Sequence, residues 1–438
     1  MEDRRRSDAY WGETASAGFV SYICKQEITG RPTSAIKGRL KVAKNGAADS
    51  LASSAMSDRV SIKRELFQWA QERSRLSVDA LSEKFPKYPQ WLSGGAEPTM
   101  KQLEKFAAQT YTPLGYLFLA EPPEERLPIP DFRTVKDRSV ARPSPHLLDT
   151  IYAVQLRQEW MRGFLIEQGE PALTFIGSRT LRDTPEAVAA DIRQTLGLDA
   201  RWSRSLATWE DALRTLIQQI ESVGVLVMIN GIVENNTHRP LDVEEFRGFV
   251  LSDTHAPVIF INGTDAKAAQ MFTVMHELAH LWLGQGGISD FKELLPSENV
   301  VEIFCNRVAA EFLVPAGEMR QAWLEVKGIA KPFERLARLF KVSPVVAARR
   351  VLDLNLISRP RYFAFYKEYR EAAAERRARA APGGNFYLTL GSRLGRRFCA
   401  AVYSAAKTGR LPYREAYQLT GLSGSAYDRF GKELGFAV

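Results

Sequence analysis

The chain has 438 residues, of which 45% are hydrophobic and 25% charged, and a formal net charge of +8. This length accommodates roughly two to four domains, and the composition is that of a soluble globular protein, which excludes collagenous and wholly disordered classes. No stretch approaches the roughly 18 consecutive apolar residues that span a bilayer, so no membrane partner is expected. Three cysteines, Cys24, Cys305 and Cys399, are an odd number without metal spacing. With no apolar segment after Met1-Glu2-Asp3-Arg4-Arg5-Arg6, they predict reduced thiols and a cytoplasmic location.

In chain order, residues 1–57 are rich in Ala, Ser, Gly and Lys without a sustained period, and read as a disordered extension. Residues 58–120 read as short helices: Ile62 to Ser74 with Leu66, Trp69 and Ala70 inward, Val78 to Phe85 capped by Ser77, and a helix opened by Pro98-Thr99 and running to Gln109. Trp91, Gly94 and Pro98-Thr99 resemble the stretch after the recognition helix of XRE-type helix-turn-helix repressors. Pro86 and Pro89 leave barely one turn before Trp91, with Lys87 and Gln90 as candidate DNA-contacting residues. The alternative is a folded remnant used for dimerisation or partner docking. Residues 121–144 form a proline-rich linker, extended by its own φ restriction.

Residues 145–325 combine helices, including Leu147 to Gln168 and Trp209 to Ser222, with strands at Val225 to Asn230, Phe246 to Leu251 and Val258 to Asn262. The densest chemistry follows in His276-Glu277-Leu278-Ala279-His280. An α-helix advances about 100° per residue, so His276 and His280 stack one turn apart and can grip one metal ion. Glu277 lies beside them as a base for an attacking water, which is the zincin pattern. A third ligand is needed. His146, His238 and His255 lie upstream, and the downstream acids are Asp290, Glu293, Glu298, Glu302, Glu311 and Glu318. Val300 to Val314 reads as a buried helix stopped by Pro315, with Glu302 near its start and Glu311 near its end, both expected on one side. A carboxylate there is explained by metal coordination or by an ion pair, for instance with Arg307, and periodicity leaves both open.

The run Glu245-Phe246-Arg247-Gly248-Phe249-Val250, the Pro257 to Asn262 strand, the His276-Glu277-x-x-His280 helix and Glu302-x-x-Cys305-Asn306-x-x-Ala309-Ala310-Glu311-Phe312-Leu313-Val314-Pro315 together resemble the ImmA/IrrE family of bacterial metallopeptidases. The resemblance implies His276, His280 and Glu302 as metal ligands and Glu277 as the catalytic carboxylate, with zinc as the ion and manganese as the alternative. It also implies a protein substrate: a transcriptional repressor of XRE type, or an operon partner such as a member of a toxin–antitoxin pair. In zincins an edge strand pairs with extended substrate, and Val258 to Asn262 is the candidate. His255 and Arg307 are candidate oxyanion donors.

Beyond this core, residues 326–370 read as a helical extension, 371–384 as an Ala/Arg-rich linker, and 385–438 as a C-terminal helical cap around Thr420-Gly421. From Arg359 to Val438 there are fifteen Lys or Arg against six Asp or Glu. That excess favours acidic partners, nucleic acid among them, or a solvated face, and Arg393, Arg396 and Arg397 are candidate phosphate contacts. The expected fold is α+β and mainly helical: a zincin-like core with a small sheet, an N-terminal helix-turn-helix-like domain and the C-terminal cap. A homodimer is compatible with this layout. The rival function is a DNA-binding regulator or antitoxin whose peptidase fold serves as a binding scaffold, a role that has no need of the base Glu277.

Overall fold

A computed structural model describes residues 59–131, 142–289, 299–377 and 391–436. The expected extension at 1–57, residues 378–384 of the expected linker at 371–384, and Cys24, Asp290, Glu293 and Glu298 lie outside them; residues 371–377 continue a helix and are not linker. The chain forms two compact units, one drawn from residues up to 128 and from 140–152, the other from 129–139 and from 153 onward.

The first unit holds α1 (Arg64–Ser74), α2 (Val78–Lys84), α3 (Tyr88–Ser93), α4 (Met100–Gln109) and a 3-10 turn at Leu114–Phe118. Ser77 caps α2 by accepting from the Ala80 N–H. Thr99 and Gln102 make a reciprocal capping box on α4. Phe67, Tyr88, Trp91 and Phe106 fill the centre, with Tyr88 and Phe106 stacked at 5.4 Å. Aromatic rings of this size bury enough surface to hold helices as short as the six residues of α3.

Helix α5 (Pro145–Glu167) contributes to both units. The second unit continues with α6 (Pro185–Thr195), α7 (Trp209–Ser222), β1 (Leu226–Asn230), β2 (Ile232–Val233), β3 (Asn236–Pro240), β4 (Gly248–Leu251), β5 (Val258–Asn262), α8 (Lys267–Trp282), β6 (Gly287–Ser289) and α9 (Val300–Leu313). Then come α10 (Ala316–Val326), α11 (Pro332–Phe340), α12 (Pro344–Asp353), α13 (Arg359–Arg377), α14 (Arg396–Lys407), α15 (Tyr413–Thr420) and α16 (Ser425–Glu433). The fold is mainly helical with a small mixed sheet, an α+β arrangement.

The sheet order is β1-β5-β4-β6, with β1 parallel to β5 and the other pairs antiparallel. The continuous apolar run Val258-Ile259-Phe260-Ile261 is therefore an interior strand and not the expected edge. Its lack of polar alternation is the signature of burial on both faces. The edges are β1 and β6.

Helix α8 lies against this sheet and against α9, and is buried on every side from Gln270 to Trp282. Its last carbonyls are satisfied by a passing loop: Gly177 N donates to Leu281 O and Arg179 N to Trp282 O, both at 2.9 Å. Trp282 stacks on Phe175 and donates from its indole to Asp191 at 2.9 Å. Helices α11 and α12 share one apolar core with α8 and α9 through Leu336, Phe340, Ala348 and Val351.

The three C-terminal helices dock through polar contacts to carbonyls and amides. Glu221, at the end of α7, accepts from the first-turn N–H of Arg397 at 3.2 Å. Arg157 donates to Leu419 O at 3.0 Å, and Asn235 to Thr420 O at 3.3 Å. Gly395, at φ +80°, makes the approach tight: a Cβ there would lie 2.7 Å from Val227 O. No helix among the described residues is long and apolar enough to cross a membrane.

Candidate metal centre

His276 and His280 sit in the middle of α8 because the helix is anchored at both ends. Gln270 ties the N-terminal turn by donating to Asp265 O at 2.7 Å, and the loop at 177–179 holds the C-terminus. Glu302 enters from the first turn of α9, which Asn299 caps by accepting from the Val301 N–H. A carboxylate in that turn is also favoured by the helix dipole.

These three side chains meet. His276 Nε2 lies 2.9 Å from His280 Nε2 and 3.3 Å from Glu302 Oε2, and His280 Nε2 lies 3.2 Å from Glu302 Oε1. His276, Glu277 and His280 have no solvent exposure and Glu302 has 3%. Among the described residues this is the one cluster of three His, Cys, Asp or Glu side chains whose donor atoms come within 4.8 Å of one another.

Protonation fits a cation at this point. Burial lowers the His276 imidazole to about 4, so it is neutral at pH 7. Its Nδ1 lies 3.1 Å from Oδ1 of Asn306, an oxygen that only accepts, so the ring proton is assigned to Nδ1 and the Nε2 lone pair faces the cluster. Burial raises the Glu302 carboxyl, but the neighbouring His276 and His280 outweigh it and leave a net lowering. A neutral imidazole and an anionic carboxylate that converge in a water-poor interior make a donor set for a divalent cation.

Glu277 rests on the sheet. A Cβ on Gly248 would lie 3.0 Å from Glu277 Oε1 and 2.9 Å from Thr273 Cγ2, so only glycine lets this carboxylate pack on β4. Asn306 and Gly248 both fall within the motif runs of the sequence, but their roles show only once α9 and β4 are placed beside α8.

Glu302 and Glu311 do not share a side, which corrects the expectation. Nine residues at about 100° each amount to two and a half turns, so the two point apart. Glu311 pairs with Arg350 of α12 and accepts from the Ala316 N–H at 3.2 Å. The ion-pair reading therefore holds for Glu311, with Arg350 as partner in place of Arg307. Glu318 pairs with Arg201 at 3.0 Å and with Arg204.

The remaining candidates are not members of the cluster. His146 packs edge-on to Tyr111, His238 is exposed on β3, and His255 lies beside Thr254 in the β4–β5 loop. Arg307 is exposed on α9. In the first unit Lys87 and Gln90 are both exposed at the start of α3. Cys305 is buried, and burial pushes its thiol well above the usual range, as expected for a core residue.

The geometry defines a buried centre of two imidazoles and a carboxylate with a second carboxylate alongside. Residues 220–352 match the peptidase M78 family model, described as the IrrE N-terminal-like domain. The match runs from the end of α7 through α12 and contains every member of the cluster. It is a metallopeptidase family, which implies a metal. Residues 394–433, the three C-terminal helices, match a domain of unknown function (DUF8813). No curated protein matches the chain.

Proposed function

We propose that the chain is a metal-dependent endopeptidase with a zincin-like core, in which His276, His280 and Glu302 hold zinc, with manganese as the alternative, and Glu277 is the catalytic carboxylate. The observation that carries this reading is the convergence of three ligand side chains beside a buried carboxylate, within a segment that matches a peptidase family.

When bound, the cation would polarise the scissile carbonyl and acidify the attacking water. The protein's own groups do the rest. Asn306 holds the His276 tautomer, so that Nε2 faces the ligand site. Glu277, fixed against Gly248, accepts a proton from the water and returns it to the leaving amine. Trp282 and the apolar faces of α8 and α9 exclude bulk water.

The substrate proposed is a regulatory protein, either an XRE-type repressor or a toxin–antitoxin partner, on the strength of the ImmA/IrrE resemblance. Glu277→Gln keeps size and leaves each ligand in place. It should preserve folding and metal content while lowering cleavage of the partner protein by about 10²–10⁴-fold. Undiminished cleavage by this variant would remove Glu277 from the mechanism, and wild-type protein that binds the partner without cutting it would remove the peptidase reading.

A further inference from the structure

We infer that the corner between α14 and α15 is a binding surface for single-stranded nucleic acid, with Tyr413 as a stacking platform and Lys407 and Arg410 as phosphate contacts. The inference goes beyond the peptidase reading and does not depend on it. Residues 391–436 carry eight Lys or Arg against three Asp or Glu, a balance that favours an anionic partner. Two of the arginines expected to meet phosphate serve the fold instead. Arg396 donates to Leu434 O at 3.2 Å and Arg397 to Glu221 O at 3.5 Å.

The corner has cations to spare and is held in one shape. Gly409, at φ +73°, ends α14 in a Schellman motif: its N–H donates to Ala406 O at 3.2 Å and that of Arg410 to Ala405 O at 3.0 Å. Leu411 is buried and anchors the turn, while Arg410, Pro412 and Tyr413 on either side of it are exposed. Lys407 is exposed as well. Among the described residues neither Lys407 nor Arg410 is in an ion pair, and Arg410 donates only to the neutral amide of Gln168, at 2.7 Å.

Tyr413 is 43% exposed yet braced by other rings. Tyr427, 1% exposed, meets it edge to face with centroids 6.1 Å apart, and Tyr417 lies 6.0 Å from it one turn along α15. Tyr427 in turn stacks on Tyr403, whose ring occupies the place that a Cβ on Gly431 would take. Lys407 joins this layer, with Nζ 5.3 Å from the Tyr403 centroid. A hydrogen bond with Tyr403 and the nearby Tyr413 raise its pKa, so the ammonium and the exposed ring stand side by side. A ring held in this way loses little freedom when a flat partner stacks on it.

The combination selects among anionic partners. Cations at the end of a helix are favoured by its dipole and by themselves point to no ligand. The faces of duplex bases are already stacked on their neighbours, and an acidic peptide segment has no flat face to offer the ring. An unpaired base has one whatever its identity, and the phosphates on either side of it suit Lys407 and Arg410.

The test is fluorescence anisotropy of the full chain with dye-labelled oligo-dT and oligo-U of about ten nucleotides, over a salt series. At least one of the two should bind. Tyr413→Ala should weaken that binding about 5- to 100-fold, whereas Tyr413→Phe, which keeps the ring, should change it less than about twofold. Lys407→Gln combined with Arg410→Gln should make the slope of log K against log salt shallower by about 1.4, from about 0.7 for each phosphate contact on a single strand. All three positions are exposed, so the variants should fold as the parent does.

Wild-type protein that binds neither oligonucleotide, or Tyr413→Ala that binds as the wild type does, would overturn the inference. Equal affinity for a duplex of the same length would reduce the corner to bare charge, and binding to phosphatidylglycerol vesicles in place of either oligonucleotide would make it a membrane contact. Binding lost in Lys87→Glu with Gln90→Glu but kept in the corner variants would place the nucleic acid on the first unit. Each of these outcomes sinks the proposal. The readout is binding alone, so a protein that cuts nothing would still pass or fail it.

Discussion

At the scale of single residues, the two carboxylates of α9 have different partners, and on the proposed function they divide between metal and scaffold. Glu302 faces two imidazoles, whereas Glu311 faces Arg350 and the start of α10. Glu302→Gln should therefore weaken zinc binding strongly in a chelator competition, with the fold retained. Glu311→Gln should keep zinc but lower the melting temperature, because it leaves the Arg350 charge buried without its counter-charge. The reverse pattern would mean that the roles are exchanged. On the same proposal, Asn306 would act on the metal through His276, whose Nδ1 it contacts. Asn306→Leu should cost about 10–100-fold in zinc affinity, the usual effect of losing a partner that orients a ligand. Asn306→Asp, which keeps an acceptor at the same place, should restore most of it, and equal losses in both variants would reduce Asn306 to a packing residue.

At the scale of elements, the join between α7 and α14 carries a pH-dependent cost. Burial raises the Glu221 carboxyl to about 7, against a lesser lowering by the N–H groups of Arg397 and Arg396. A folded-state value raised above the unfolded one gives a stabilising contribution that is complete below about pH 4.5 and is lost as pH rises through about 7. Glu221→Gln removes the ionisation while keeping an acceptor oxygen for the Arg397 amide. The variant should be more stable than the parent at pH 8, by about 1–3 kcal/mol, and should lose that advantage at pH 4.5. Melting curves at the two pH values check this, and a gap that does not change between them would clear Glu221 of the effect.

At the scale of the whole molecule, two readings of the function compete, and substitutions that do not disturb folding separate them. Glu277 is buried in the second unit, while Lys87 and Gln90 are exposed in the first. On the proposed function, the cellular effect of the protein should vanish with Glu277→Gln and persist in Lys87→Glu combined with Gln90→Glu. Paired reporter measurements of partner-protein level would show it. Loss of the effect only in the double variant would mean that the chain works by binding DNA, with the peptidase fold as scaffold.

The chemistry was legible in the sequence because it is local. A four-residue spacing on a helix is enough to stack His276 over His280, and capping signals at Ser77 and Thr99 mark helix starts that the structure keeps. The strand 258–262 was also legible as a strand, since a β-branched apolar run has few other homes. Its place in the sheet was not, because edge and interior are properties of pairing between segments far apart in sequence. The same holds for the third corner of the site. Periodicity along α9 left Glu302 and Glu311 open, and the angle at which α9 meets α8 sends one to the histidines and the other to Arg350. Local spacing thus determined that His276 and His280 stack with Glu277 beside them, while periodicity left the third acid to the family resemblance, and tertiary packing decided that Glu302 completes the cluster, what Glu277 rests on, and which strand lies at the edge of the sheet.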